Sequence, residues 1–213
     1  MARKAYSEQQ REQVRTALLT TATQCIVDRG LVHSSIDVLC KKVGISKTFF
    51  YTFFSSKEEL VLEALRCQRP KLLQYARQLM ADPALSWRQG VHTFLETCVY
   101  GEKNGVAVLS IEEEQQVCRC LSPEHFQAFR NEQTKLFCDL LAIFGLPEGS
   151  MDPRLFGSLA LSMTMVYKAI PDTMPFLFPE RAGDMVEFQI NALLDAMQQA
   201  KQDQNSVNED AQT

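Results

Sequence analysis

Glycine, proline and long apolar runs are scarce in this chain. Nine Gly and eight Pro among 213 residues favour long helices joined by few turns. The longest apolar region, residues 155–170, is interrupted by Gly157 and Lys168, so it predicts a buried helix and no membrane span. The first residues, MARKAYSEQQREQ, contain no apolar stretch, which predicts that no secretory signal peptide is present.

Motifs of enzymes and cofactor sites are also lacking. The sequence has no glycine-rich phosphate loop, no G-x-S-x-G and no H-E-x-x-H, so we expect neither enzyme activity nor a cofactor. Three His and seven scattered Cys give no ligand set with metal-site spacing, and we expect no metal. Without an export signal, such cysteines are typical of reduced thiols in a cytoplasmic protein.

Charge is divided unevenly along the chain. Residues 1–71 carry 12 Lys or Arg against 7 Asp or Glu, whereas residues 72–213 carry 10 against 19; together these match the whole-chain totals of 22 and 26. A small basic region joined to a larger acidic one favours contact with DNA through the first region only.

Residues 34–60 contain a pattern typical of a helix-turn-helix. A short helical pattern with one apolar face precedes Gly44, which can adopt the left-handed backbone of a tight turn. Ser46 then has the chemistry of a helix N-cap, and lysine, threonine and aromatic side chains follow it. The second helix of such a motif enters the major groove of DNA.

Residues 16–60 resemble the DNA-binding domain of the TetR family of bacterial transcriptional regulators. The resemblance rests on the order and spacing of several short segments: Gly30, Ser34-Ser35-Ile36, LCKKVGISK at residues 39–47, Phe50-Tyr51, Phe54, and SKEEL at residues 56–60. It implies ligand-controlled regulation of transcription, most often repression. It also implies a homodimer bound to a near-palindromic operator in double-stranded DNA.

Nine side chains of this motif are candidates for DNA contact. Lys47, Thr48 and Phe49 begin the second helix, where side chains reach base edges. Phe49 has two interpretations, since it could pack on thymine methyl groups or be buried against its own domain. The other candidates, which include predicted phosphate contacts and serines that are also candidate helix caps, are Ser34, Ser35, Ser46, Tyr51, Thr52 and Lys57.

Helical periodicity beyond the motif predicts an all-α fold of about nine helices. We expect a three-helix DNA-binding domain at residues 1–52 and a helical effector-binding and dimerisation bundle at residues 53–201. The sequence QDQNSVNEDAQT at residues 202–213 predicts a disordered polar tail. The sequence PDTMPFLFP at residues 171–179 predicts an apolar loop that packs over the bundle or over a partner subunit.

The resemblance implies two further sites in the acidic region. The aromatic and Met side chains of this region suit a pliable pocket for a small apolar or aromatic effector. Its Lys and Arg residues are scattered and form no cluster that would bind a highly anionic ligand. The candidate pocket residues are Trp87, Phe94, Phe126, Phe129, Met163 and Tyr167. The candidate dimer interface is the apolar stripe of the last helix: Val186, Ile190, Leu193 and Met197.

Two rival functions stay open. Cys118 and Cys120 form a CxC pair that would suit a redox-sensing or metal-sensing regulator, although the acidic run at residues 112–114 opposes a reactive thiol. The second rival is a helical binding or scaffold protein whose motif does not contact DNA, which Phe49 and the modest number of basic residues favour. A gel-shift assay on the chain's own promoter region separates this second rival from a regulator.

Overall fold

The computed structural model describes residues 6–30, 34–170, 174 and 177–210, and the side chains of all of these except Arg29 and residues 204–210. Within these residues the fold is all-α, as predicted, with ten α-helices, one short 3-10 helix at Pro179–Arg181 and no β-strand. The helices are α1 (Glu8–Arg29), α2 (Ile36–Val43), α3 (Lys47–Phe50), α4 (Lys57–Ala81), α5 (Trp87–Val99), α6 (Gly101–Asn104), α7 (Ile111–Cys120), α8 (Pro123–Ile143), α9 (Pro153–Ala169) and α10 (Ala182–Asp210).

Several helix starts follow directly from local sequence. Ser7 and Gln10 form a capping box at the start of α1, in which each side chain accepts a hydrogen bond from the backbone of the other residue. Ser122 caps α8 and Asp152 caps α9, and a proline follows each cap at the first helical position. Each of these helix starts is therefore determined by residues within a few positions of one another in the sequence.

The chain divides into two compact units. The first contains residues 1–68 and 107–120, and the second contains residues 69–106 and 121–213. This division does not coincide with the boundary expected at residue 52. The reason is that Leu60 and Ala64, in the first half of α4, belong to the hydrophobic core of the first unit.

The core of the first unit joins α1, α2, α3 and the start of α4. Its buried residues are Leu18, Leu19, Ala22, Cys25, Leu39, Cys40, Phe50, Phe54, Leu60 and Ala64. In this unit Glu113 of α7 is also buried, with 1% of its surface exposed. Its carboxylate accepts a hydrogen bond from the backbone N–H of Ser110 at 2.8 Å, which caps the start of α7.

The second unit has a larger core, built from α4, α5, α8, α9 and α10 and rich in aromatic rings. Phe144 contacts Phe94 and Phe156 edge to face, with centroid distances of 5.4 and 6.3 Å. The indole N–H of Trp87 donates to the carbonyl of Phe144 at 2.6 Å. Such pairs fix the relative positions of α5, α8 and α9.

The C-terminal helix is longer than expected. Helix α10 continues to Asp210, past Gln202, where the predicted polar tail begins, and residues 211–213 lie outside the described residues. Most of the predicted apolar loop at residues 171–179 also lies outside them, while Leu177 and Phe178 are 37% and 70% exposed. Among the described residues, no helix is long and apolar enough to cross a lipid bilayer.

Candidate nucleic-acid interface

The turn between α2 and α3 depends on Gly44. This glycine has φ 76° and ψ 32°, a left-handed conformation that a side chain disfavours. Its N–H donates to the carbonyl of Cys40 at 2.9 Å, and the N–H of Ile45 donates to the same carbonyl at 3.0 Å. These bonds end α2 and redirect the chain, as the helix-turn-helix pattern predicts.

Helix α3 is short and is held by one cap and one buried ring. The Ser46 hydroxyl accepts a hydrogen bond from the N–H of Phe49 at 3.2 Å, which starts the helix. Phe50 is fully buried in the core of the first unit and fixes the opposite face. Lys47 and Thr48 therefore lie exposed at the beginning of the helix.

Lys47 is paired, but weakly. Its Nζ lies 3.2 Å from the carboxylate of Asp37 on α2, and the side chains of the two residues are 51% and 70% exposed. Ion pairs with this much solvent contact contribute about 0–1 kcal/mol. Lys47 can therefore leave Asp37 and contact a base edge or a phosphate at a small cost in free energy.

Phe49 is half-buried, so part of its ring packs within its own domain and part stays open to a base. Its ring stacks on Tyr6, with centroids 4.3 Å apart and an interplanar angle of 23°. It also meets Phe53 edge to face at 5.0 Å. Much of this ring is thus committed to contacts within its own unit.

The serine candidates act mainly as caps. Ser35 caps α2, Ser46 caps α3, and the Ser56 hydroxyl accepts a hydrogen bond from the N–H of Glu59 at 3.1 Å. A cap can still contact a phosphate, so Ser35 and Ser46 stay candidates. The predicted DNA contact of Ser34 needs correction, because this residue is buried and only 6% exposed.

The remaining candidates lie just after α3. Tyr51 is 50% exposed, and Thr52 is also exposed and donates its hydroxyl proton to the carbonyl of Phe49 at 2.7 Å. Lys57 is half-buried at the start of α4. Its phosphate contact stays a prediction.

The six candidate pocket residues do not line one site. Phe94 and Met163 are buried in the core of the second unit, and Trp87 and Tyr167 pack against that core. Phe126 and Phe129 are half-buried on α8, under the guanidinium groups of Arg130 and Arg69 at 5.9 and 5.7 Å. None of the six lines the described open cavity, which is formed by Leu85, Ser86, Arg88, Gln89, His92 and Thr93.

The candidate dimer residues need correction. Val186, Ile190, Leu193 and Met197 are 1%, 0%, 5% and 0% exposed, because all four pack in the core of their own chain. The apolar surface that α9 and α10 leave exposed lies on other residues. Leu155 and Leu159 of α9 are 55% and 42% exposed, and Phe188 of α10 is 75% exposed.

The cysteine pair has little of the character of a redox switch. Cys118 and Cys120 are exposed on α7, but partial burial and the carboxylate of Glu114 raise the pKa of the Cys118 thiol. A raised pKa leaves less of the reactive thiolate at neutral pH. Within the described residues, no group of three or more His, Cys, Asp or Glu side chains is placed to hold a metal ion.

Sequence reasoning missed two residues beside the interface. Tyr6 and Arg11 lie before the segment that resembles known DNA-binding domains, and both contact Phe49. Nothing in their local pattern connects them with α3, since the contact is made by tertiary packing. The aromatic ring of Phe49, for which burial against its own domain is one interpretation, is the sequence feature that could have pointed to such partners.

This geometry defines a helix-turn-helix protein, and comparisons with known proteins agree. The family model for bacterial regulatory proteins of the tetR family matches residues 18–64. The transcriptional regulator EthR of Mycobacterium tuberculosis is 38% identical over 86 residues, which are 38% of this chain and 40% of EthR. The transcriptional repressor KstR2 of Mycolicibacterium smegmatis is 28% identical over 160 residues, 75% of each chain.

A solved structure shows the same fold. The crystal structure of reduced NemR from E. coli is similar with a TM-score of 0.56, over 86% of this chain and 97% of that one, at 16% sequence identity. At this identity the likeness concerns the fold alone. The match to the tetR family model covers residues 18–64, and the chain spans less than half the length of EthR, so the likeness to TetR-family regulators is strongest in this N-terminal segment.

Proposed function

We propose that this protein is a ligand-responsive transcriptional regulator that binds DNA through α2 and α3. The observation that carries the proposal is the short, capped α3, which presents Lys47 and Thr48 to solvent. The excess of positive charge in residues 1–71 supports it, because attraction to phosphates supplies much of the affinity for DNA. The names of EthR and KstR2 support the same function. A regulator of this kind acts on DNA in the cytoplasm.

In this proposal the first turn of α3 reads bases in the major groove. Lys47 exchanges Asp37 for a guanine edge or a phosphate, and Thr48 contacts a base directly. Tyr51, Thr52 and Lys57 contact the phosphate backbone on either side. Ser35 and Ser46 mainly hold the two helices in position.

The protein acts as a homodimer on a near-palindromic operator, with two α3 helices about 34 Å apart in successive major grooves. The exposed apolar residues of α9 and α10, namely Leu155, Leu159 and Phe188, support a partner surface there. Phe188→Asp is expected to give folded monomers with weaker operator binding, measured by sedimentation and gel shift. The exposed Gln198, changed to Asp, is the matched control on the same helix.

A small, mostly apolar effector in the second unit releases the repressor from DNA. The aromatic core and the few, scattered cations after residue 71 support this class of ligand. Differential binding of a few kcal/mol between two conformations is enough to empty an operator. Thermal-shift screening is expected to favour hydrophobic and aromatic compounds; a strong shift with nucleotides alone would contradict it.

Binding to the chain's own promoter region tests the function directly. Purified full-length protein should shift a duplex from this region at low salt and leave a scrambled duplex of the same composition largely free. Thr48→Ala should change preference among operator variants by about 1–3 kcal/mol at one base step. Lys57→Ala should weaken binding to all variants alike and lower the salt slope by about one unit.

The rivals predict different outcomes. A scaffold protein would give no sequence-dependent shift at any salt concentration. A cysteine-based sensor would lose its response to oxidant when Cys118 and Cys120 are both changed to Ser, with DNA binding retained. The raised pKa of Cys118 favours the apolar-effector regulator over this sensor.

A further inference from the structure

The guanidinium of Arg11, on α1, lies over two aromatic rings beside α3, the helix that is proposed to read DNA bases. Its guanidinium carbon is 4.9 Å from the ring centroid of Phe53 and 5.8 Å from that of Phe49. The two rings meet edge to face, and Tyr6 stacks on Phe49. We call the rings of Phe49 and Phe53 the aromatic shelf. It holds a cation beside Phe49, the residue that follows Thr48 in the chain.

The charge of Arg11 is not neutralised within the described part of the chain. Arg11 is exposed and takes part in none of the described ion pairs. Two other cations of the first unit contrast with it, since Arg15 pairs with Glu63 at 3.2 Å and Lys47 pairs with Asp37 at 3.2 Å. An unpaired cation attracts an anion without first giving up a carboxylate.

We infer that Arg11 contacts a DNA phosphate beside the groove entered by α3, and that Phe49 positions Arg11 and does not read a base. This inference rests on the proposed function and names a contact that the helix-turn-helix pattern does not contain. The electron-rich faces of the rings attract the cation, and this attraction uses none of the hydrogen-bonding capacity of its N–H groups. Those N–H groups remain available to two oxygens of one phosphate.

The contact with the rings also lowers the free-energy cost of binding a phosphate. A free arginine side chain loses rotamer freedom when it binds a phosphate, whereas a side chain already held on the aromatic shelf has less to lose. Phe49 is suited to this role because Tyr6 stacks on its ring and limits the surface left for a thymine methyl group. The half-buried state of Phe49 is explained in the same way.

The salt dependence of binding tests the contact. Full-length protein is titrated by fluorescence anisotropy with the duplex from its own promoter region and with a mixed-sequence duplex of equal length. Arg11→Gln should lower the slope of log affinity against log salt by about one for each bound protomer, on both duplexes. For a fourfold rise in salt, each lost contact corresponds to about a threefold smaller fall in affinity.

Two control variants separate this contact from a general loss of charge. Arg77→Gln removes the same charge from an exposed site on α4 in the second unit and should leave the slope unchanged. Arg11→Lys keeps the charge but loses the planar fork, so it should restore the slope with weaker affinity. An Arg11→Gln slope equal to that of the wild type would overturn the inference.

Phe49→Leu tests the positioning role. If Phe49 holds Arg11, this variant should weaken binding by a similar factor on all operator variants, and adding Arg11→Gln to it should have less effect than in the wild type. Loss of affinity at a single base step would instead make Phe49 a base-reading residue and overturn the positioning role. Circular dichroism confirms that each variant is folded before it is compared.

The outcomes distinguish this inference from the proposed function. If the wild type binds its promoter duplex specifically and Arg11→Gln has no effect on the slope, the function stands and the inference fails. If the wild type shows no specific binding to any promoter duplex, the proposed function fails first.

Discussion

The two compact units are stabilised in different ways. In the first unit, the proposed DNA surface depends on short helices whose ends are fixed by serine caps and by the turn at Gly44. In the second unit, long helices pack on a large aromatic core, with Phe144 and Phe156 almost fully buried. The first arrangement leaves polar side chains exposed in a defined position, while the second hides its most distinctive residues.

This difference decides where a functional residue can be recognised. Caps and tight turns are local, because a serine or a glycine acts on its neighbours within about four residues. Core packing is not local, because one apolar stripe can face its own chain or a partner with the same periodicity. The four predicted dimer residues of α10 show this, since all of them face their own core.

The largest expected effect is at Ile190 of α10. Ile190 is 0% exposed, so Ile190→Ala leaves a cavity and should reduce the free energy of unfolding by about 2–5 kcal/mol. Urea unfolding monitored by circular dichroism measures this change. Gln198→Ala on the same helix is the control, because Gln198 is exposed and should change stability by only about 0.5 kcal/mol. An Ile190→Ala protein of unchanged stability that becomes monomeric would restore this stripe as a dimer face.

A close approach of α8 and α9 gives the next prediction. A Cβ atom at Gly157 of α9 would overlap the ring of Phe137 on α8. Gly157→Ala should therefore destabilise the second unit by about 1–3 kcal/mol, since packed side chains must shift. Thermal and urea unfolding measure the loss. Adding Phe137→Leu makes room and should recover part of it; a loss that the smaller side chain cannot reduce would point to α9 backbone strain instead.

The sequence predicts correctly those features that depend on local caps and turns, and it does not predict those that depend on tertiary packing. The Gly44 turn and the Ser46 cap can be predicted from the sequence, because each depends on residues a few positions apart. Helix α6, at Gly101–Asn104, is not readable, because four residues have no periodicity. The stack of Tyr6 on Phe49 joins residues 43 positions apart, and no local rule gives it.

The candidate sites divide in the same manner. Lys47 and Thr48 are exposed where the motif predicts them, since two caps and a turn determine their position. The six pocket residues were chosen for their chemistry alone, and the structure distributes them between the core and α8. A pocket is the space that the packed side chains leave unfilled, and the amino-acid composition does not determine where that space lies.

A pair of serine caps compares the units directly. Ser46 caps the four-residue α3, and Ser122 caps the 21-residue α8 through the N–H of His125 at 3.3 Å. Each Ser→Ala change should cost about 1 kcal/mol. In Ser46→Ala the cost falls on α3, so DNA affinity should drop about fivefold or more, whereas Ser122→Ala should lower the melting temperature and leave DNA affinity unchanged. Equal DNA affinity in both variants would show that α3 does not need its cap.

The smallest expected effect is at the polar surface between α5 and α10. His92 Nε2 lies 2.9 Å from a carboxylate oxygen of Glu187, and this hydrogen bond lowers the pKa of Glu187 from its usual value of 4.5, with help from Asn191 and Arg88. A lowered pKa means that Glu187 stabilises the fold above about pH 4.5 and that this stabilisation is lost as pH falls through the lowered value.

Glu187→Gln should therefore reduce stability by less than about 1 kcal/mol at pH 6, because the pair is partly solvated, and the difference from wild type should shrink toward pH 4. Urea unfolding at each pH measures it, with the exposed Glu180→Gln as the charge-matched control; a difference that grows on acidification would reverse the assigned sign.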